Sequence, residues 1–260
     1  MWLKCLKIFW PNCHRKKELM EKIAAMREGG AKLRQIKTQL QDYAQVGKSF
    51  LEVDALATKL IVASGGKPNF SLVPGYHHTT CINRNQGIVH GIPNQTIIES
   101  GDLISIDFGM LYQGWNLDTS ISFIAGQSNP SLDNFLSVGK KALAKAIAVA
   151  IAGNSIYDIS FKIEKTITRA GFSPTYQLTG HSIGKKLHEN PLIPNIADKA
   201  DRRHVLKVGD TLAIEVMYAM GECDLVLGDD GWTYETADGS LTALFEDTVA
   251  ITNNGPEIMT

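Results

Sequence analysis

The sequence predicts an α+β fold in which two helix-plus-sheet halves are related by a pseudo-twofold axis. The chain has 260 residues, enough for one large domain. Its strand-like segments follow runs of helical segments instead of alternating with them, which is typical of α+β proteins. Most motifs of the first half return about a hundred residues later. Because a repeat of this length is too long for a solenoid, we expect one domain with a pocket between its two copies.

The first 17 residues differ from the rest of the chain. They combine aromatic and aliphatic side chains with a basic cluster and carry no repeated motif. Lys4 and Lys7 interrupt the apolar stretch, and no small-residue cleavage site follows, so a secretory signal is not expected. We interpret residues 1–17 as an N-terminal extension, with a basic membrane-surface anchor or an early start codon as alternatives. Residues 18–260 then form the domain, with halves of about 18–126 and 131–260.

Each predicted half opens with two helices. The 3–4 spacing of apolar residues predicts long first helices at roughly 18–45 and 131–152, the former weakened by Gly29 and Gly30. A serine with an acid three residues later, the pattern of a capping box, begins each second helix: Ser49 with Glu52, and Ser155 with Asp158.

Four carboxylates lie in the strand-like segments that follow these helices. Asp107 and Glu215 each end an alternating strand that begins at a Gly-Asp turn, and Asp118 and Glu246 occupy equivalent positions in a later strand of each half. Carboxylates are rarely buried without partners, because removing the charge from water is costly. Four of them at repeated positions among Ile, Leu, Val and Phe predict a cluster on the pseudo-twofold axis.

Such a cluster needs shared protons, buried bases or cations. No Lys or Arg occurs in residues 101–126 or 212–260, so we favour cations. Oxygen ligands with at most one imidazole suit Mg²⁺ or Mn²⁺, or Co, Fe and Zn ions in a dinuclear site. His181 is the candidate for the imidazole, because Gly180 and Gly184 permit an unusual turn around it.

Composition excludes several classes of protein. Twenty-six Lys and Arg against 27 Asp and Glu give a net charge of −1, which argues against a nucleic-acid-binding protein. No apolar run approaches the ~20 residues of a membrane-spanning helix. The four cysteines form neither a CxxC pair nor a disulfide framework, which favours a reducing compartment and hence a cytoplasmic protein.

The ordered motifs of residues 18–260 resemble those of type I methionine aminopeptidases. The motifs are His90-Gly-Ile-Pro93, Ile106-Asp107, Asp118-Thr-Ser120, Gly180-His181-Ser-Ile-Gly184, Leu187-His188-Glu-Asn-Pro191, Ile214-Glu215 and Gly231-Trp232-Thr233. The resemblance implies the pita-bread fold around a dinuclear metal site. It implies two divalent ions (Co, Mn, Fe, Zn or Ni) held by five ligands: Asp107, Asp118, His181, Glu215 and Glu246.

The resemblance also implies an activity and residue roles. The activity is removal of an N-terminal methionine that precedes a small second residue, by attack of a water activated by two metals. Glu215 is the implied general base, His188 the oxyanion donor and His90 a contact of the scissile amide. Both histidines would bind substrate, together with four further residues: Tyr76, Cys81, Leu187 and Trp232.

Three residues depart from the family pattern: Val73, Leu187 and Val216 stand where tyrosine, phenylalanine and proline are usual. These departures are expected to affect side-chain specificity and to leave metal binding intact.

Two alternatives stay open. A prolidase or X-Pro aminopeptidase is expected to carry a large additional N-terminal domain, which is not expected in this chain. The helical insertion of type II enzymes is not expected here either. A non-catalytic peptide-binding relative is expected to have lost metal ligands, whereas all five positions are kept here. The expected partners are protein N-termini that begin with Met, with a ribosome contact left open, and the expected oligomeric state is a monomer.

Overall fold

The structure is a computed structural model that describes the backbone of residues 6–260 and the side chains from residue 17 onward. Residues 1–5 of the predicted extension therefore lie outside the described residues, and residues 6–16 are described by their backbone alone. Within the described part of the chain, no helix is both long enough and apolar enough to cross a membrane.

Helices form at the four predicted places. They are α1 (Leu6–Tyr43), α2 (Phe50–Ala63), α3 (Pro130–Ala148) and α4 (Ile156–Arg169), with short 3₁₀ helices at Phe70–Leu72 and Lys199–Arg203. The predicted start of α1 near residue 18 is wrong, because the helical backbone begins at Leu6. Apolar spacing marks only the part of a helix that packs on a core, so it does not report an N-terminal continuation.

The two glycines inside α1 allow it to lie close to the sheet. A β-carbon on Gly29 would meet the side chains of Leu117 and Tyr112, and one on Gly30 would meet the backbone of Met259. The cost of glycine in a helix is therefore offset by packing that no larger residue permits.

Two sheets follow from the strand segments. The strands are β1 (Lys67–Pro68), β2 (Thr80–Arg84), β3 (Gly87–Val89), β4 (Leu103–Tyr112), β5 (Trp115–Ile124), β6 (Ser173–Pro174), β7 (Thr179–Ser182), β8 (Glu189–Pro194), β9 (Thr211–Ala219), β10 (Leu225–Leu227), β11 (Tyr234–Thr236), β12 (Thr242–Thr252) and β13 (Gly255–Ile258). The large antiparallel sheet has the order β1-β4-β5-β12-β9-β7-β8, with β2 beside β4, β6 beside β9 and β13 beside β12. A small sheet has the order β10-β11-β3.

The centre of the large sheet shows the predicted pseudo-twofold. Strands β4 and β5 of the first half are mirrored in order by β9 and β12 of the second, and β5 pairs with β12 in the middle. The α+β prediction with two repeated halves is confirmed.

The helices cover one face of the large sheet. In the first half α1 packs on β4 and β5, and in the second half α3 packs on β9 and β12. From α1, Lys37 Nζ donates to Thr119 Oγ1 at 2.8 Å and to Asp247 Oδ1 at 2.7 Å, which joins the helix to both central strands. Successive side chains of a strand point to opposite faces. The neighbours of Thr119 and Asp247, which are Asp118 and Glu246, therefore project from the face away from the helices.

Candidate metal centre and substrate pocket

A single row of facing residues crosses the four central strands. Asp107 of β4 lies opposite Ser120 of β5, Ser120 lies opposite Glu246 of β12, and Glu246 lies opposite Glu215 of β9. Facing residues of antiparallel strands share one side of the sheet, with β-carbons about 4.5–5.5 Å apart. The register alone thus brings three predicted ligands together.

The other two predicted ligands join the same face. Asp118 is two residues before Ser120 on β5, and His181 of β7 lies opposite Ala213, two residues before Glu215 on β9. His181 Nε2 is 3.9 Å from Asp118 Oδ2 and 3.5 Å from Glu215 Oε1. One ligand atom from each of Asp118, His181 and Glu246 lies within 4.8 Å of the others, close enough for the three residues to hold one metal ion.

Burial gives these acids unusual electrostatics. Asp118 and Glu246 are only 4% and 2% exposed. Desolvation raises the pKa of Asp118, Glu215 and Glu246 well above the ordinary values, and repulsion between the carboxylates raises each of them further. Desolvation also raises the pKa of Asp107, to about 7. Four acids so close cannot all be ionised near neutral pH unless cations neutralise them.

The donor set fits divalent cations. Asp107 Oδ1 and Glu246 Oε1 are buried without any hydrogen-bond partner among the described residues, so each keeps lone pairs that a cation could use. His181 Nδ1 faces the carbonyl oxygen of Ser182 at 3.0 Å. Since a carbonyl can only accept, Nδ1 carries the proton and Nε2 keeps its lone pair, the arrangement of a metal-binding histidine. Desolvation, and then the neighbouring His188, lower the pKa of His181 to about 4, so the ring is neutral.

The carboxylates lie at the floor of a cavity of about 360 Å³. One wall is an apolar cluster of Phe70, Tyr76 and Cys81, with Val73, Leu187 and Trp232 partly buried against it. The Tyr76 ring meets that of Trp232 edge-on at 5.2 Å, and its hydroxyl donates to the carbonyl of Thr80. Burial raises the pKa of the Cys81 thiol well above its ordinary value, so Cys81 is a wall residue and not a thiolate nucleophile.

Two histidines line the mouth of this cavity. His188 meets His181 edge-on, with 4.5 Å between ring centroids. His90 follows β3 and has a φ of 60°, a left-handed conformation that is uncommon for a residue with a side chain. Its ring meets that of Tyr234 at 5.9 Å. Desolvation lowers the pKa of both His90 and His188, so each ring is neutral at pH 7 and has one N–H to donate.

Comparison with known proteins places this site in a family. The sequence model described as metallopeptidase family M24 matches residues 24–253. A methionine aminopeptidase from Clostridium perfringens is 35% identical over 238 residues, which are 92% of this chain and 95% of that protein. A crystal structure of methionine aminopeptidase from Thermotoga maritima superposes with a TM-score of 0.89 at 34% identity, over 92% of this chain and 96% of the other. The chain belongs to metallopeptidase family M24.

The M24 fold alone does not identify the substrate, because enzymes with different names share it. A prolidase from Pyrococcus horikoshii superposes with a TM-score of 0.72 at 23% identity, and this chain spans 62% of its length. That likeness shows the fold alone. The predicted pita-bread fold is confirmed, since the methionine aminopeptidase and prolidase structures both share it with this chain.

The structure brings all the predicted site residues of this M24 protein to one cavity. The predicted ligands, both histidines and the four wall residues all line it. Their individual roles stay predictions. Sequence reasoning missed seven further residues on the lining: Phe70, Val89, Gln177, Leu178, Thr179, Leu192 and Met217. Strand alternation would have identified Met217, two residues after Glu215 on β9, and Thr179, two residues before His181 on β7. The others reach the cavity through contacts that no local pattern signals.

Proposed function

We propose that this chain removes the N-terminal methionine from newly made proteins by metal-dependent hydrolysis, with a preference for a small second residue. One observation carries the proposal: five ligand-type side chains converge at the floor of an apolar cavity with two neutral histidines at its mouth. The likeness to methionine aminopeptidases supports the choice of substrate.

The metal centre would be formed by Asp107, Asp118, His181, Glu215 and Glu246. Asp107 and Asp118 come from the first half and Glu215 and Glu246 from the second, so both halves would contribute ligands. When bound, divalent ions lower the pKa of water, polarise the scissile carbonyl and hold the substrate's α-amine. The donor set suits Co, Mn, Fe, Zn or Ni ions, and two ions are proposed.

Proton transfer would fall to Glu215. Its side chain is only 13% exposed, and its Oε1 is 3.5 Å from His181 Nε2 at the floor of the cavity. Burial raises its pKa, so the carboxylate is a better base than one in water. It would take a proton from the attacking water and later deliver it to the leaving amine.

The two histidines would act on the substrate. His188 would donate its N–H to the oxygen of the scissile carbonyl as negative charge develops there. His90, which also lines the cavity, would donate to the scissile amide. Both rings are neutral, so neither repels the cations below.

The methionine side chain would lie in the cavity against the apolar wall, which is formed by Phe70, Val73, Tyr76, Cys81, Leu187 and Trp232. Cys81 is small and polarizable and suits a thioether. Val73 and Leu187 are aliphatic and smaller than aromatic residues, so this wall should accept norleucine or leucine more readily than an aromatic wall would.

We further propose that residues 18–260 form the catalytic domain, with residues 1–17 as an extension that takes no part in catalysis. Protein N-termini that begin with Met are the proposed partners, the ribosome a further one, and the protein is proposed to act as a cytoplasmic monomer.

A substrate panel tests the proposal. Hydrolysis of Met-Ala-Ser would be compared with that of Ala-Pro and X-Pro peptides in the presence of Mn²⁺ or Co²⁺. We expect cleavage of Met-Ala-Ser and little of the proline peptides, and slow cleavage of Met-Leu-Ser and Met-Lys-Ser. Preferential cleavage of Ala-Pro would favour the prolidase alternative. No hydrolysis of any peptide at saturating metal would favour the non-catalytic one.

A further inference from the structure

The segment between β7 and β8, residues 183–188, carries two residues of the proposed site at its end. We call it the His188 loop. Leu187 belongs to the apolar wall, and His188 stands over the metal ligand His181. The position of this loop therefore affects both the width of the side-chain pocket and the proposed oxyanion donor.

Asn116 holds the start of this loop from the other half of the protein. Its backbone N–H donates to the carbonyl of Gly184 at 2.8 Å. Its side-chain Nδ2 donates to the same carbonyl at 3.1 Å and to the carbonyl of Lys185 at 3.0 Å. Both Nδ2 hydrogens are thus used on the loop, 68 and 69 residues away along the chain.

The remaining polar atom of this amide accepts a hydrogen bond from Asn69, beside the apolar wall. Asn69 Nδ2 donates to Asn116 Oδ1 at 3.3 Å and to the carbonyl of Leu117 at 3.2 Å. Asn69 immediately precedes Phe70 of the apolar wall. Asn69 and Asn116 are 2% and 5% exposed, so water competes little for these bonds.

The same strand fixes the distance from the loop to the metal ligands. Asn116 and Asp118 are two residues apart on β5 and lie on the same face. A second contact supports the grip: Lys185 Nζ lies 3.7 Å from the centroid of the Trp115 ring. One short stretch of β5 therefore positions a proposed ligand and the loop that carries His188.

We infer that Asn116 is a positioning residue that sets the placement of His188 and the width of the methionine pocket, by holding the His188 loop against β5. This inference rests on the proposed function for its catalytic part. Its structural part, the restraint of the loop, stands independently of any activity.

The test uses Asn116→Leu, which keeps the size of the side chain and removes its side-chain hydrogen bonds, while the backbone N–H bond to Gly184 stays. Lys186→Ala is the matched control, because Lys186 lies in the same loop with an exposed side chain and its recorded hydrogen bonds are made by its backbone. Asn116→Ser is the second variant, since its short polar side chain does not reach both carbonyls and leaves room for water. Hydrogen exchange of peptides covering residues 183–188 reports the restraint, and Mn²⁺ titration calorimetry reports the metal centre.

We expect exchange in the His188 loop to accelerate in both Asn116 variants and not in Lys186→Ala, with Mn²⁺ affinity near that of the wild type. On Met-Ala-Ser, kcat should fall by about 10–100-fold, the scale of a catalytic group displaced by an ångström. The preference for Met over Leu at position one should also narrow.

Wild-type exchange in the loop of both Asn116 variants would overturn the inference. So would a loss of kcat or of Mn²⁺ affinity without faster exchange, because Asn116 would then act through Asp118 instead. A wild-type enzyme that hydrolyses no Met peptide would sink the proposed function, and the exchange data alone would then decide whether Asn116 restrains the loop.

Discussion

Glu215 and Glu246 lie directly opposite each other on neighbouring strands at the centre of the sheet. Like charges at such positions destabilise a sheet, and burial here adds a desolvation cost. In the described part of the chain, the basic group within ion-pair distance of Glu215 is His181, whose own pKa is lowered to about 4. The pair costs stability without a cation, which is why we regard it as a binding feature and not a structural one.

Burial of these carboxylates predicts that the free energy of unfolding of the metal-free protein depends on pH in an unusual way. An acid whose pKa is higher in the folded than in the unfolded state retains its proton on folding, so the folded protein binds more protons and stability falls as pH rises. The window runs from the unfolded pKa of about 4 upward through about 7, the pKa of Asp107. Urea unfolding in chelator should give a lower free energy of unfolding at pH 8 than at pH 5.5.

The same measurement contains its control. Saturating Mn²⁺ should remove most of this slope, and Glu246→Gln should reduce it in chelator. An equal slope in Glu246→Gln and in the wild type, both measured in chelator, would show that the carboxylate cluster does not cause it.

Substitutions should distinguish the roles of His181 and His188, although their rings are in contact. His181→Ala should lower metal affinity as well as rate, because Nε2 is directed toward the acids. His188→Ala should keep its metal and lose rate by about 10²–10³-fold, the effect of removing one oxyanion donor, mostly in kcat. Metal analysis of both purified variants, followed by kinetics at saturating Mn²⁺, distinguishes them. Loss of metal from His188→Ala and its retention in His181→Ala would mean that the two roles are exchanged.

Ser49 should contribute measurably to stability. Its Oγ accepts from the backbone N–H of Glu52 at 3.2 Å, and the Glu52 carboxylate accepts from the backbone N–H of Ser49 at 2.8 Å, completing the capping box of α2. Ser49→Ala should lower the free energy of unfolding by about 1 kcal/mol in urea titrations. Ser131→Ala is the control, since this exposed serine near the start of α3 bonds to Asn129 Oδ1 through its backbone N–H, which the substitution keeps. Equal effects of both changes would refute the role of the cap.

The sequence predicted those features that depend on a short local pattern or that occur in both halves. Both capping boxes, the four acids and the two-halves architecture follow from repeated patterns, and the structure has all of them. The start of α1 was not predictable, because the N-terminal part of the helix lacks the apolar spacing of a packed face. The hydrogen bond from Asn116 Nδ2 to the Gly184 carbonyl was not predictable either, since it joins residues 68 positions apart and its acceptor is a backbone atom.

Removal of residues 1–15 should leave turnover nearly unchanged. Among the described side chains of α1, Leu19 lies against Gly209 at the turn before β9, and Lys22 Nζ donates to the Gly209 carbonyl at 3.3 Å. The truncated chain keeps both. Its kcat on Met-Ala-Ser would be compared with that of the full chain. A large fall in kcat for a truncated protein with a wild-type unfolding curve would show that the extension takes part in catalysis.

The most direct test of the account is metal removal and return, measured on Met-Ala-Ser. The protein would be stripped with chelator until elemental analysis finds no transition metal, assayed, and assayed again during stepwise addition of Mn²⁺, Co²⁺ or Fe²⁺ with the bound metal counted. We predict that hydrolysis disappears with the metal and returns as ions bind, and that Glu246→Gln fails to recover at the same metal concentration. Full hydrolysis by the stripped wild-type protein would contradict the metal-dependent mechanism.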